Sequence, residues 1–174
     1  MMSMVKYFFD ISHQQLARQL FADSLLAKQH PRFYEETCGQ YPIIFVSFAG
    51  CTDITWQDMK WTISNIMLKA YQSHRYLLND ESMYEEDREY FLDILKHTAV
   101  VSYNESLARL IAMLERKWEK RVIVIVDEYE KPLSVAFENS FLGDAVGFLS
   151  GSLTTCLKDN PYVVTHLHFD AYLL

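Results

Sequence analysis

Glycine and proline are scarce in this chain, five and four among 174 residues. A fold of many short strands joined by tight turns draws heavily on both, so an all-β sandwich or barrel is disfavoured. Cysteine is rare as well. Cys38, Cys51 and Cys156 are far apart and odd in number, which yields neither a zinc-ligand spacing nor a disulfide framework. They read as three reduced thiols. No apolar run approaches the roughly 18 residues of a membrane span, so no membrane partner is expected. Met1 to Lys6 lack the layout of a signal peptide, and the expected compartment is the cytoplasm. Positive charge is in deficit. A formal net charge of −7 argues against a broad nucleic-acid-binding face, and there is no direct nucleic-acid signal.

What is present is a core. Half the residues are hydrophobic and 14% are aromatic, enough in 174 residues to bury one domain's interior. Two continuous apolar runs stand out. One is Ile43-Ile44-Phe45-Val46-Ser47-Phe48, opened by Pro42. The other is Val122-Ile123-Val124-Ile125-Val126, five β-branched residues in succession, ending in Asp127 and Glu128. Unbroken runs of this kind read as strands buried on both faces, as in a parallel sheet. Acids at the C-terminal end of such a strand lie where open α/β sheets place their ligand chemistry. An Asp there can hold magnesium, and a Glu immediately after it can polarise an attacking water. Acids also follow strands simply as turn or capping residues, so the heptamer alone leaves both readings open.

Between and around the strands the apolar period is helical. Val5, Tyr7, Phe8, Phe9 and Ile11 form an apolar cluster at the start, the pattern of a helix entered partway along. Ser12 with Gln15, Ser82 with Glu85, and Ser102 with Glu105 each have capping-box spacing. Pro31 and Gly39 bracket a short helix from Pro31 to Cys38. Trp56, Met59, Ile63, Ile66, Met67, Ala70 and Tyr71 share one face of a helix expected from about Thr55 to Leu78, a core stripe. Leu107, Leu110, Ile111, Leu114 and Trp118 mark another helix, to about Glu119. Pro132 stops any continuation of the second strand. Leu142 to Leu157 reads as a last helix, with Gly143, Gly147 and Gly151 on one face for close packing on the sheet. A final strand is expected near Tyr162 to Phe169. Helices alternating with buried strands give an α/β class with a mostly parallel sheet.

A longer resemblance bears on the acids. Arg121 to Leu133, which includes Asp127-Glu128-Tyr129-Glu130-Lys131-Pro132, resembles the "DEYD-x-P" region of the AAA-ATPase-like family. That family is common in bacteria and is often joined to a C-terminal restriction-endonuclease-like domain. Tyr41 to Phe48 resembles its "YPVIYLSF" strand, His74-Arg75-Tyr76-Leu77-Leu78 its "HRYLL"-like helix end, and Leu157 to Tyr162 its "LKDNPY". Lys6-Tyr7-Phe8-Phe9-Asp10 resembles the end of the helix that follows the phosphate loop. The resemblance implies a P-loop NTPase-like parallel sheet with flanking helices, with Asp127 as the magnesium residue of a Walker B motif. It implies Glu128 as the catalytic, water-polarising residue and Mg and ATP as the family's cofactors.

Two departures shape the expectation. Members carry an Arg-Pro-Arg-Arg-Phe-Gly-Lys-Ser-like phosphate loop before that first helix, whereas none of the five glycines here is followed by lysine. After "NPY" the family continues into a sensor-like strand, whereas here the text runs Val163-Val164-Thr165-His166-Leu167-His168-Phe169-Asp170. The chain is therefore expected to be a truncated AAA-ATPase-like domain over 1–162 with a divergent tail over 163–174, of the kind a frameshift produces. Its sheet would be partial, lacking the phosphate-loop strand, and Glu128 vestigial. Alone it is expected to bind neither Mg nor ATP. Open sheet edges would favour self-association; no other partner is indicated. The alternatives are an ATP-hydrolysing protein completed by a separately encoded phosphate loop, and a non-enzymatic interaction module. His166, His168 and Asp170 have no third ligand nearby and read as tail. Neither Cys51 nor Cys156 has a His at a recognisable nucleophile spacing.

Overall fold

The two β-branched runs find each other. In the computed structural model, which describes residues 2–96, 103–157 and 160–164, β1 (Ile43–Ser47) and β2 (Ile123–Asp127) pair in parallel. The register runs from Ile43 opposite Ile123 to Ser47 opposite Asp127. Strand alternation then sorts the side chains onto two faces. Ile44 and Val46 join one core, with Val124 and Val126 against it. Ile43, Ile123 and Ile125 join a second core, with Phe45 against it. Burial on both faces is what the unbroken apolar runs required.

Four helices precede β1: α1 (Met2–Phe9), α2 (Gln14–Phe21), α3 (Leu25–Gln29) and α4 (Pro31–Thr37). Phe8, Phe9, Ala17, Tyr34 and Cys38 from this group build the second core. The first core draws on α5 (Trp56–Ser73), α6 (Glu85–Lys96), α7 (Ser106–Trp118), α8 (Lys131–Glu138) and α9 (Leu142–Leu157). Met59, Ile63, Met67, Ala70 and Tyr71 of α5 are all buried there, as their spacing predicts. The Tyr71 hydroxyl donates to the Ser106 carbonyl at 2.7 Å, tying α5 to the start of α7. The fold is thus mixed α/β, with a small parallel sheet between two helical layers.

Several local expectations are corrected. Ser12 does not cap α2: its amide and hydroxyl both bond the Asp10 carboxylate, which caps a 3₁₀ turn at Ile11–His13 instead. Ser82 is likewise taken by Asp80, through its amide at 2.9 Å and its hydroxyl, and α6 begins only at Glu85. Ser102 lies outside the described residues. The long helix ends at Ser73, and Arg75–Asn79 continues as a 3₁₀ turn. Pro132 does more than end a strand. It occupies the first turn of α8, where its missing N–H costs nothing. The Gly143 and Gly147 face does not pack closely on the sheet: a Cβ at either would meet nothing within 4 Å.

The sheet edges are not bare. On the β2 side, Val122 and Val163 form a parallel bridge, with the Val122 amide donating to the Tyr162 carbonyl at 2.7 Å and the Val164 amide to the Val122 carbonyl at 3.0 Å. The rest of the expected last strand lies outside the described residues. On the β1 side, the Pro42 carbonyl accepts from the Ile123 amide. Peptide groups alternate along a strand, so the Ile43 carbonyl points to the outer edge. The buried His74 ring lies close enough there for that carbonyl to favour its protonated form.

Candidate functional site

β1 and β2 end side by side, so their C-terminal residues Ser47 and Asp127 are neighbours across the sheet. The Ser47 hydroxyl donates to Asp127 Oδ2 at 3.4 Å. The Phe48 amide donates to the Asp127 carbonyl at 3.0 Å, one last ladder bond beyond β1. The Ala49 amide reaches Ser47 Oγ at 3.4 Å. Both Ser47 and Asp127 are half-buried. Asp127 is therefore presented at the rim of the sheet, held by the strand on its own side and by one hydroxyl on the other.

Immediately after it the backbone turns hard. Glu128 has φ 51°, the left-handed region that a non-glycine residue enters at a cost of about 1–2 kcal/mol. The Glu128 carbonyl accepts the Lys131 amide at 3.0 Å and starts the turn into α8. Glu128, Tyr129 and Glu130 are all exposed. A strained backbone at a strand end is a common mark of a residue placed for chemistry. Here the turn brings Asp127 and Glu128 to one end of the sheet while giving them different surroundings, one half-buried and bonded, the other in solvent.

Two further groups, in and just after β1, carry no signal in the sequence. Ser47 carried no motif of its own; only the strand register pairs it with Asp127. Asp53, in the loop leaving β1 at the same end, has one carboxylate oxygen that is buried with no hydrogen-bond partner. The donors available at the strand ends are hard oxygens, the kind magnesium takes, and magnesium is usually held by one or two carboxylates plus water and substrate phosphates. Among the described residues no group of three or more His, Cys, Asp or Glu could cage a metal ion by itself. One carboxylate with a hydroxyl beside it fits a cation that depends on a bound phosphate for its remaining ligands.

The other candidates fall away or lie elsewhere. Burial pushes the Cys51 thiol up to about 12, with the Asp53 charge adding to it, and the Cys156 thiol up to about 11. Neither is poised as a thiolate. His166, His168 and Asp170 lie outside the described residues. His74 and Tyr76, from the "HRYLL"-like segment, are structural: Trp118 Nε1 donates to the Tyr76 hydroxyl at 3.4 Å, and that hydroxyl lies 3.2 Å from His74 Nδ1.

An AAA-ATPase-like family model, described as a predicted AAA-ATPase, matches residues 1–168. No curated protein and no solved structure matches the chain.

Proposed function

The chain belongs to the AAA-ATPase-like family, and from that premise we propose that Asp127 and Glu128 are the magnesium-and-water half of a nucleotide-hydrolysing site, a Walker B motif without its phosphate loop. The observation that carries the reading is the parallel register, which sets Asp127 at the carboxyl end of a buried strand with Glu128 turned out directly after it. Asp127 would hold the magnesium ion, directly or through water. Glu128, exposed and next in the chain, would orient and polarise the attacking water. The ion, when bound, would neutralise charge on the phosphates.

What these residues do not supply is the cradle. Phosphate binding on such folds rests on a nest of backbone N–H groups and a lysine. The 174 residues contain no Gly-Lys pair. Asp127 and Glu128 by themselves present negative charge to a polyanion. The chain alone should therefore neither bind nor hydrolyse ATP.

A titration of fluorescent ATP with magnesium tests this. The expected result is no saturable binding below about 1 mM, an affinity worth only about 4 kcal/mol. Micromolar binding that is lost in Asp127→Ala would overturn the inactive reading. A second reading, completion by a phosphate loop from another polypeptide, draws support from the exposure of Glu128 and Glu130. It predicts that binding appears only when such a segment is added in trans.

A further inference from the structure

We propose that Ser47 is the positioning residue for the Asp127 carboxylate, holding Oδ2 so that Oδ1 stays turned toward a divalent cation and its water. This rests on the reading of Asp127 as the magnesium residue. The two side chains are register partners on adjacent parallel strands, so they leave the sheet on the same face about 4.8 Å apart at the backbone. The Ala49 amide donates to Ser47 Oγ at 3.4 Å, which uses one lone pair of the hydroxyl. The hydroxyl hydrogen then has Asp127 Oδ2 as its acceptor, at 3.4 Å. Among the described residues, Ser47 is the only side chain or amide that bonds the Asp127 carboxylate. Oδ1 is left with no protein donor competing for it.

A bond of 3.4 Å is long against the usual 2.7–2.8 Å for O–H···O, so its contribution lies in orientation more than in stability. That separates positioning from a merely structural role. Ser47→Ala should leave the thermal midpoint nearly unchanged yet alter which rotamer Asp127 adopts. A ligating carboxylate held by a neighbouring group loses affinity for its metal by about tenfold or more when that neighbour is removed.

The test uses the isotopically labelled full chain. Three-bond couplings across the Asp127 χ1 bond report its rotamer populations, and Mn²⁺ alone, titrated to millimolar concentration as a paramagnetic probe, reports the weak cation binding that one carboxylate and one hydroxyl give without a phosphate. The wild type should show one dominant rotamer. Ser47→Ala should spread the populations and weaken Mn²⁺ binding by about tenfold, Ser47→Thr should restore both, and Asp127→Asn should abolish site-specific broadening. Couplings unchanged in Ser47→Ala would overturn the role of Ser47 while leaving Asp127 as the metal residue, provided Asp127→Asn still abolishes broadening. Mn²⁺ broadening indifferent to Asp127→Asn would overturn the metal reading and this inference together.

Discussion

His74 shows at the scale of one residue how burial decides protonation. Burial pushes its ring down from the ordinary 6.5 to about 4, against an opposing pull from Asp10 and the Ile43 backbone and with a small push from Lys6. A neutral ring suits every bond around it. Nδ1 can accept the Tyr76 hydroxyl hydrogen, and that hydroxyl oxygen itself accepts from Trp118 Nε1. The consequence for stability has a definite sign. Above about pH 6.5 the ring is neutral in both the folded and the unfolded chain. Between about 6.5 and 4 the unfolded chain takes up a proton that the folded chain refuses, so stability falls as pH falls through that window. The full loss should be about 3 kcal/mol. Urea midpoints measured from pH 7.5 to 4.5 should decline more steeply for the wild type than for His74→Gln, which cannot titrate. Parallel slopes would show that His74 is not the group responsible. None of this was legible in the segment His74 to Leu78, because a buried imidazole is identified by what surrounds it.

At the scale of elements, the sequence signals that succeeded were those backed by local sterics. Pro31 starts α4, and Gly39 ends it with φ 66°. Leu142–Leu157 is a helix with the bounds its pattern suggests. The signals that failed were capping boxes, since Asp10 and Asp80 compete successfully for Ser12 and Ser82. The serine spacing cannot reveal an aspartate two residues earlier winning the same hydroxyl. The glycines divide on the same principle. A Cβ at Gly39 would lie 2.9 Å from the Gln14 Cα, in a backbone conformation that already disfavours side chains. Gly39→Ala should cost about 1–2 kcal/mol or more, because α2 cannot retreat without disturbing the second core. Gly147, inside α9 with open space around it, is the opposite case. Gly147→Ala should stabilise by about 0.5–1 kcal/mol through helix propensity. Chemical denaturation of the two variants should move the midpoint in opposite directions.

For the whole molecule the issue is a very small sheet between two helical layers. The described residues hold two strands, which are marginal alone, so their stability has to come from the helices covering both faces. Several large apolar side chains remain exposed, including Leu20, Leu25, Trp61 and Phe137, the last at 73%. Scattered apolar residues are ordinary on a surface, but among the described residues the β2 side is bridged only at Val122, and the rest of that edge adds to the tendency to associate. We expect the isolated chain to self-associate. Sedimentation velocity across a range of concentrations should show a rising weight-average mass. A single monomeric species with two-state unfolding by heat and by urea would refute this.

Local physics written into the sequence was enough to determine two buried strands, their flanking helices and the acids at the second strand's end. β-branched runs stiffen χ1 and favour the pleat, and a period of 3.6 gives each helix a face to bury. Tertiary structure alone decided the rest. It brought Ser47 beside Asp127 across 80 residues of chain. It left Glu128 in a strained turn and turned the Gly143 and Gly147 face toward open space. It also placed a neutral His74 on the edge of β1. Each of these depends on which distant groups meet, and sequence spacing carries no record of distance in space.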